Sequence, residues 1–156
     1  MSEPASRTVG VALLGLAATC VATGCGGPVE VIPPPVGEDR SACRALVDAL
    51  PERLAGAESR AVEPPDAAVT AWGDPPIVLR CGVPRPSALA RTSRCDLVNH
   101  VGWFTEEQAR SYRFTTIGRE ANVEVVVPFS YDPAAEVLVG VADAVKASVR
   151  RVRPCV

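Results

Sequence analysis

Thiols dominate the chemistry open to this chain of 156 residues, which carries six cysteines, Cys20, Cys25, Cys43, Cys81, Cys95 and Cys155, against one histidine, His100. No two cysteines stand in a C-x-x-C spacing, so the usual dithiol-exchange motif is absent. A structural zinc site needs four donors at close spacing, and Cys95 with His100 offers only two. No metal or cofactor is expected. A serine hydrolase needs a nucleophile, a base and an orienting acid. Asp96 lies near His100, but Ser87, Ser93, Ser111 and Ser130 are scattered and no G-x-S-x-G turn exists, so no catalytic residue is assigned. Glu106 with Glu107 are chain neighbours and Glu120 with Glu124 flank one predicted strand; both pairs read as solvated carboxylates rather than an acid and base. What remains is binding. Trp72, Asp74, Arg80, Trp103, Arg119 and Glu124 combine large aromatics with charge, as ligand-facing surfaces do. The competing reading makes the two tryptophans lids of the core and pairs Arg80, Arg119 and Glu124 across the outside of a sheet.

The fate of the cysteines depends on the compartment. Residues Thr8 to Val29 are uncharged behind Arg7, the apolar run from Val9 to Val21 forms a hydrophobic region, and the small residues Thr23 and Gly24 precede Cys25. The run Val21-Ala22-Thr23-Gly24-Cys25 resembles the lipid-attachment site of bacterial lipoproteins. That resemblance implies cleavage before Cys25 and diacylation of its sulfur. A cleaved, secreted protein and an uncleaved membrane helix are the alternatives, and for the latter Gly24, Gly26, Gly27 and Pro28 would break the last turn. All three place the body outside the cytoplasm, at the extracytoplasmic face of the plasma membrane or secreted, with the bilayer as a partner of the anchored forms. Cys20 then leaves with the leader and Cys25 is lipidated, so Cys43, Cys81, Cys95 and Cys155 remain in an oxidising environment. Of three possible connectivities, Cys43 with Cys81 and Cys95 with Cys155 is the expected pair, because Cys43 and Cys81 both fall on predicted core faces. The formal charge is −2 and stays so once residues 1–24 are removed, which takes away the basic surface that nucleic-acid binding requires.

The organisation expected is a signal peptide over 1–24, a lipid-anchored Pro/Gly-rich linker over 25–40 and one domain over 41–156. Gly26 to Asp39 contains Pro28, Pro33, Pro34 and Pro35 and too few apolar side chains to pack. Its fourteen residues, at about 3.1 Å each, would stand the domain up to roughly 40 Å from a membrane. Ser41 is placed as the cap of a first helix whose Cys43, Leu46, Val47 and Leu50 share one face. Pro51 ends or kinks that helix and starts a short turn closing at Gly56. Residues 57–76 read as irregular chain with room for one helical turn over Ala67 to Trp72. Ile77, Leu79, Cys81 and Val83 alternate as a half-buried strand. Leu97 to Phe104 reads as a strand pair turning at Asn99-His100, followed by a polar loop from Thr105 to Arg110. Tyr112 to Ile117 and Ala121 to Val127 form a hairpin. Asp132 caps and Pro133 starts a last helix carrying Val137, Leu138, Val141, Val145 and Val149 on one stripe, with Arg150, Arg151 and Arg153 near its negative end. The class expected is α+β: an antiparallel sheet of about four or five strands covered by an N-terminal and a C-terminal helix, with two disulfides.

At these residues a family likeness emerges. Cys43-Arg44-Ala45-Leu46, Ala71-Trp72-Gly73-Asp74-Pro75, Leu79-Arg80-Cys81-Gly82-Val83-Pro84, Val98 with Trp103, Phe114 to Arg119, Val123-Glu124-Val125 and Pro154-Cys155 resemble, in that order, the actinobacterial exported proteins grouped as domain of unknown function 3515. The resemblance implies an envelope location and a cysteine framework, and carries no assigned activity. The function expected is a non-enzymatic, membrane-tethered module that binds an envelope protein or a cell-wall component. The alternative is a hydrolase or other enzyme acting on cell-wall material.

Overall fold

The computed structural model describes residues 27–35, 37, 39–65 and 68–155; the stretch expected to be a leader and Cys25, the residue expected to carry a lipid, lie outside them. In chain order the elements are β1 (Val29–Glu30), α1 (Arg40–Ala49), β2 (Arg53–Leu54), β3 (Ala57–Arg60), β4 (Val62–Glu63), β5 (Val69–Trp72), β6 (Ile77–Cys81), β7 (Asp96–Val98), β8 (Val101–Glu107), β9 (Ser111–Ile117), β10 (Val123–Pro128) and α2 (Ala135–Ser148). The class is α+β, as expected, but the sheet is larger. Eight strands run in the order β2-β3-β5-β6-β10-β9-β8-β7, every neighbour antiparallel. The last strand in sequence, β10, closes the seam between the hairpin β5-β6 and the meander β7-β8-β9.

Period-two alternation decides which face of each strand is buried. Ile77, Leu79 and Cys81 of β6 and Val123, Val125 and Val127 of β10 point to one side and are almost wholly buried. Against that side lie Cys43 and Leu46 of α1 and Val137, Leu138, Val141 and Val145 of α2, with Val149 just beyond it, so the core is the layer between sheet and helices. Both expected disulfides are present, Cys43 to Cys81 with Cα atoms 5.4 Å apart and Cys95 to Cys155 with Cα atoms 5.9 Å apart. The first ties α1 to the middle of the sheet. The second pins the C-terminal tail to the outermost strand.

Several expectations are corrected. Residues 51–56 form no helical turn; β2 and β3 make a tight hairpin through Ala55 and Gly56, both at positive φ. The stretch 57–76 is not irregular but holds β3, β4 and β5. Residues Val69–Trp72 hide their strand character because both faces are buried, Val69 and Ala71 on one side and Trp72 on the other, which erases the alternation. β8 continues through Glu107, where a loop was expected from Thr105. The cap residues also move: Ser41 lies inside α1, and α2 begins two residues after Pro133.

Burial of Val69 and Ala71 is explained by the segment expected to be a detached spacer. β1 pairs in parallel with β4, and Val29 N–H donates to Ala61 O at 2.8 Å and Val31 N–H to Glu63 O at 2.9 Å. Arg60 Nη2 donates to Gly27 O at 2.7 Å and Arg80 Nη1 to Ile32 O at 3.4 Å. Because Arg60 is opposite Ala71 and Arg80 opposite Val69, this N-terminal strap crosses the outer face of β3, β5 and β6. Backbone hydrogen bonds and two arginines dock it where apolar side chains are too few to do so. Among the described residues no helix is long and apolar enough to cross a membrane.

Candidate functional site

Three places in this fold gather polar side chains. On the outer face, Arg80 of β6 and Glu124 of β10 are directly opposed in register, so their side chains leave the sheet together. Arg80 Nε and Nη2 donate to Glu124 Oε1 at 2.9 and 2.6 Å, and Arg113 Nε stands 3.4 Å from Oε2 without hydrogen-bond alignment. Glu124 is buried, and two arginines neutralise it. This cluster holds the strap against the sheet through Arg80, and its surplus positive charge lies on two arginines already engaged with Glu124. Glu124→Ala leaves two cations facing each other, and should lower stability by about 2 kcal/mol in urea unfolding; the penalty of a fully buried broken pair is reduced because Arg80 and Arg113 side chains stay 25% and 34% exposed. Glu124→Gln, which keeps an acceptor, should cost less.

The second place is a cavity of about 520 Å³ between the strap prolines Pro33 to Pro35, the exposed side of α1 with Arg40, Arg44 and Asp48, and the Cys43–Cys81 bridge. The third is an open recess of about 470 Å³ at the C-terminal end of α2, lined by His100, Arg119, Glu120, Lys146, Ser148, Arg150 and Arg151. Asn99 and His100 occupy the two positive-φ positions of the β7–β8 turn, which carries the imidazole to the rim. Arg119 is buried, and its Nη1 donates to Val149 O at 2.6 Å. Burial first, then the charge of Arg151, holds its guanidinium below the ordinary arginine range, and it stays cationic nonetheless. Glu120 is fully committed: Arg150 N–H donates to Oε1 at 2.9 Å and Arg150 Nε to Oε2 at 3.1 Å. Lys146 Nζ lies 2.8 Å from Asp143, whose carboxyl that hydrogen bond and charge hold below its usual range. No hydrogen bond joins His100 to Ser148 among the described residues, nor does any group of three or more His, Cys, Asp or Glu side chains suited to a metal occur there.

Residues 6–153 match the family described as protein of unknown function (DUF3515). The chain belongs to the DUF3515 family. Comparison with curated proteins and with solved structures gives no match.

The six candidate binding residues of this DUF3515 chain do not converge. Trp72 and Trp103 are wholly buried on the helix side of the sheet. The Trp72 indole N–H donates to Pro51 O at 2.8 Å, whereas that of Trp103 has no partner among the described residues. Asp74 is 83% exposed in the β5–β6 turn, 3.9 Å from Arg60. Arg80 and Glu124 pair as described, and Arg119 lies in the recess. Sequence reasoning did not assemble that recess, because its parts come from a hairpin turn, a second turn and a helix end. The sequence places Arg150, Arg151 and Arg153 near the negative end of α2, and it is Arg119 that takes the Val149 carbonyl there.

Proposed function

We propose that this chain is an exported domain, tethered by Cys25 to the outer face of the plasma membrane, that acts by binding an envelope component rather than by catalysis. The observation that carries the reading is the closure of both disulfides, joining four cysteines that would stay reduced in the cytosol. The uncharged leader ending in Cys25 supports the same reading, and the family match begins at residue 6, inside that leader. Catalysis has one observation in its favour, the presence of His100, Ser148 and Glu120 around a single recess. It needs a free carboxylate and a base bonded to its nucleophile, and Glu120 holds Arg150 with both oxygens.

The strap changes what the tether does. Gly27 is docked to Arg60, and Cys25 is only two residues earlier, at most about 7 Å of extended chain. A lipid on Cys25 would hold the domain directly against the headgroups rather than on a long stalk. Replacing Cys25 with alanine in the native host should move the protein from the membrane fraction to the soluble envelope fraction. Retention of Cys25→Ala in the bilayer overturns the lipid tether, and four free thiols in a cytosolic native protein overturn export itself.

A further inference from the structure

The recess beside α2 holds more positive charge than its own carboxylates answer. Arg150 is paired with Glu120 and Lys146 with Asp143, while Arg119 and Arg151 have no carboxylate partner among the described residues. Their backbones form an antiparallel bridge, which sets the two residues directly opposite each other. Like charges at opposed positions repel, and here one of them is buried, only 9% exposed, where water screens it least. Arg119 gives one nitrogen to Val149 O, and a guanidinium carries five N–H donors. Capping Val149 O at the negative end of α2 occupies one of these donors and leaves the others for an anion.

We propose that this recess binds a phosphate-type oxyanion between Arg119 and Arg151, with Lys146 at its edge. Two unanswered arginines match the charge of roughly −1.5 to −2 that a phosphate group carries near neutral pH. The planar fork of each guanidinium fits adjacent phosphate oxygens through paired N–H donors. The anion could be free in solution or part of a lipid headgroup, and strand registers favour solution. Gly27, where the tether begins, is held by Arg60 beside Gly73, at the end of the sheet where Trp72 faces Ile77. Arg119 follows the other end, where Cys81 faces Val123. The recess therefore opens at the end of the strands remote from the anchor. The recess itself is independent of the tether; only the choice between the two sources rests on that reading.

Isothermal titration of the mature native protein, in neutral phosphatidylcholine nanodiscs, with inorganic phosphate tests the site. Saturable binding is expected in the micromolar to millimolar range. Arg151→Ala should weaken it about tenfold, the size of one charge-assisted hydrogen bond. Arg119→Lys, which keeps charge but loses the fork, should weaken it too, and Arg53→Ala on the distant β2–β3 hairpin should leave it unchanged. Should Arg119→Lys fail to fold, exposed Arg151 still decides the matter. Absence of saturable binding, or an Arg151→Ala affinity equal to wild type, overturns the proposal. Adding phosphatidylglycerol to the nanodiscs should not shift the phosphate affinity. A large loss of affinity there would show headgroups occupying the recess and overturn the solution source.

Discussion

Alanine at both Cys95 and Cys155 will lower the stability of the domain by about 4 kcal/mol, and alanine at Cys43 and Cys81 will lower it by nearly the same amount. The bridged residues are 60 and 38 positions apart, so each cross-link removes a long loop's freedom from the unfolded chain. Against a net stability of roughly 5–15 kcal/mol, either loss removes between about a quarter and most of it. Native packing adds to the first effect. A Cβ built on Gly102 would lie 2.6 and 2.8 Å from the sulfurs of Cys155 and Cys95, which shows how closely the bridge fills the space over β8. Removing it opens a gap there as well as freeing the tail. Cys43 and Cys81 are both buried in the core between α1 and β6, so their replacement also loosens helix against sheet. Urea unfolding with and without reductant measures both effects. An unchanged midpoint after full reduction would show that the core alone sustains the fold, and would remove the strongest argument for an oxidising compartment.

How much of this was legible beforehand follows from which signals are local. Ile77, Leu79 and Cys81 alternate because one face of β6 meets the helices and the other meets Arg80 and its partners, and the alternation gave both the strand and the disulfide partner of Cys43. The stripe on α2 was legible for the same reason, with every expected stripe residue buried. β5 was not, because the strap buries Val69 and Ala71 from the far side and removes the pattern that betrays a strand. The strap itself was unreadable because its attachment uses backbone hydrogen bonds to Ala61 and Glu63 and carbonyls offered to Arg60 and Arg80, none of which depends on its own side chains. Pairing of Arg80 with Glu124 could be anticipated from residue type, but their opposition required the insertion of β10 beside β6, a long-range crossover. The recess lies furthest from any local signal: Arg119 and Arg151 meet through one isolated bridge between segments more than thirty residues apart.

Trp72→Ala should cost about 3–5 kcal/mol, the usual range for removing a large aromatic from a packed core. Trp72 is wholly buried, sits opposite Ile77 and lies where β5 is enclosed on both faces, so the surrounding backbone has little room to collapse into the void. A phenylalanine series separates packing from hydrogen bonding. Trp72→Phe loses volume and also the indole N–H bond to Pro51 O, which fastens the end of α1 to the sheet and would leave that carbonyl unpaired. Trp103→Phe loses similar volume but removes a buried donor that has no partner among the described residues. The first substitution should therefore be more damaging than the second by about 1 kcal/mol, the net worth of one such bond. Because the chain has two tryptophans, each single variant leaves one indole whose fluorescence reports the same urea transition. Equal losses for the two phenylalanine variants would mean that the Trp72–Pro51 bond contributes nothing, and that α1 is held to the sheet by the Cys43–Cys81 bridge and apolar packing alone.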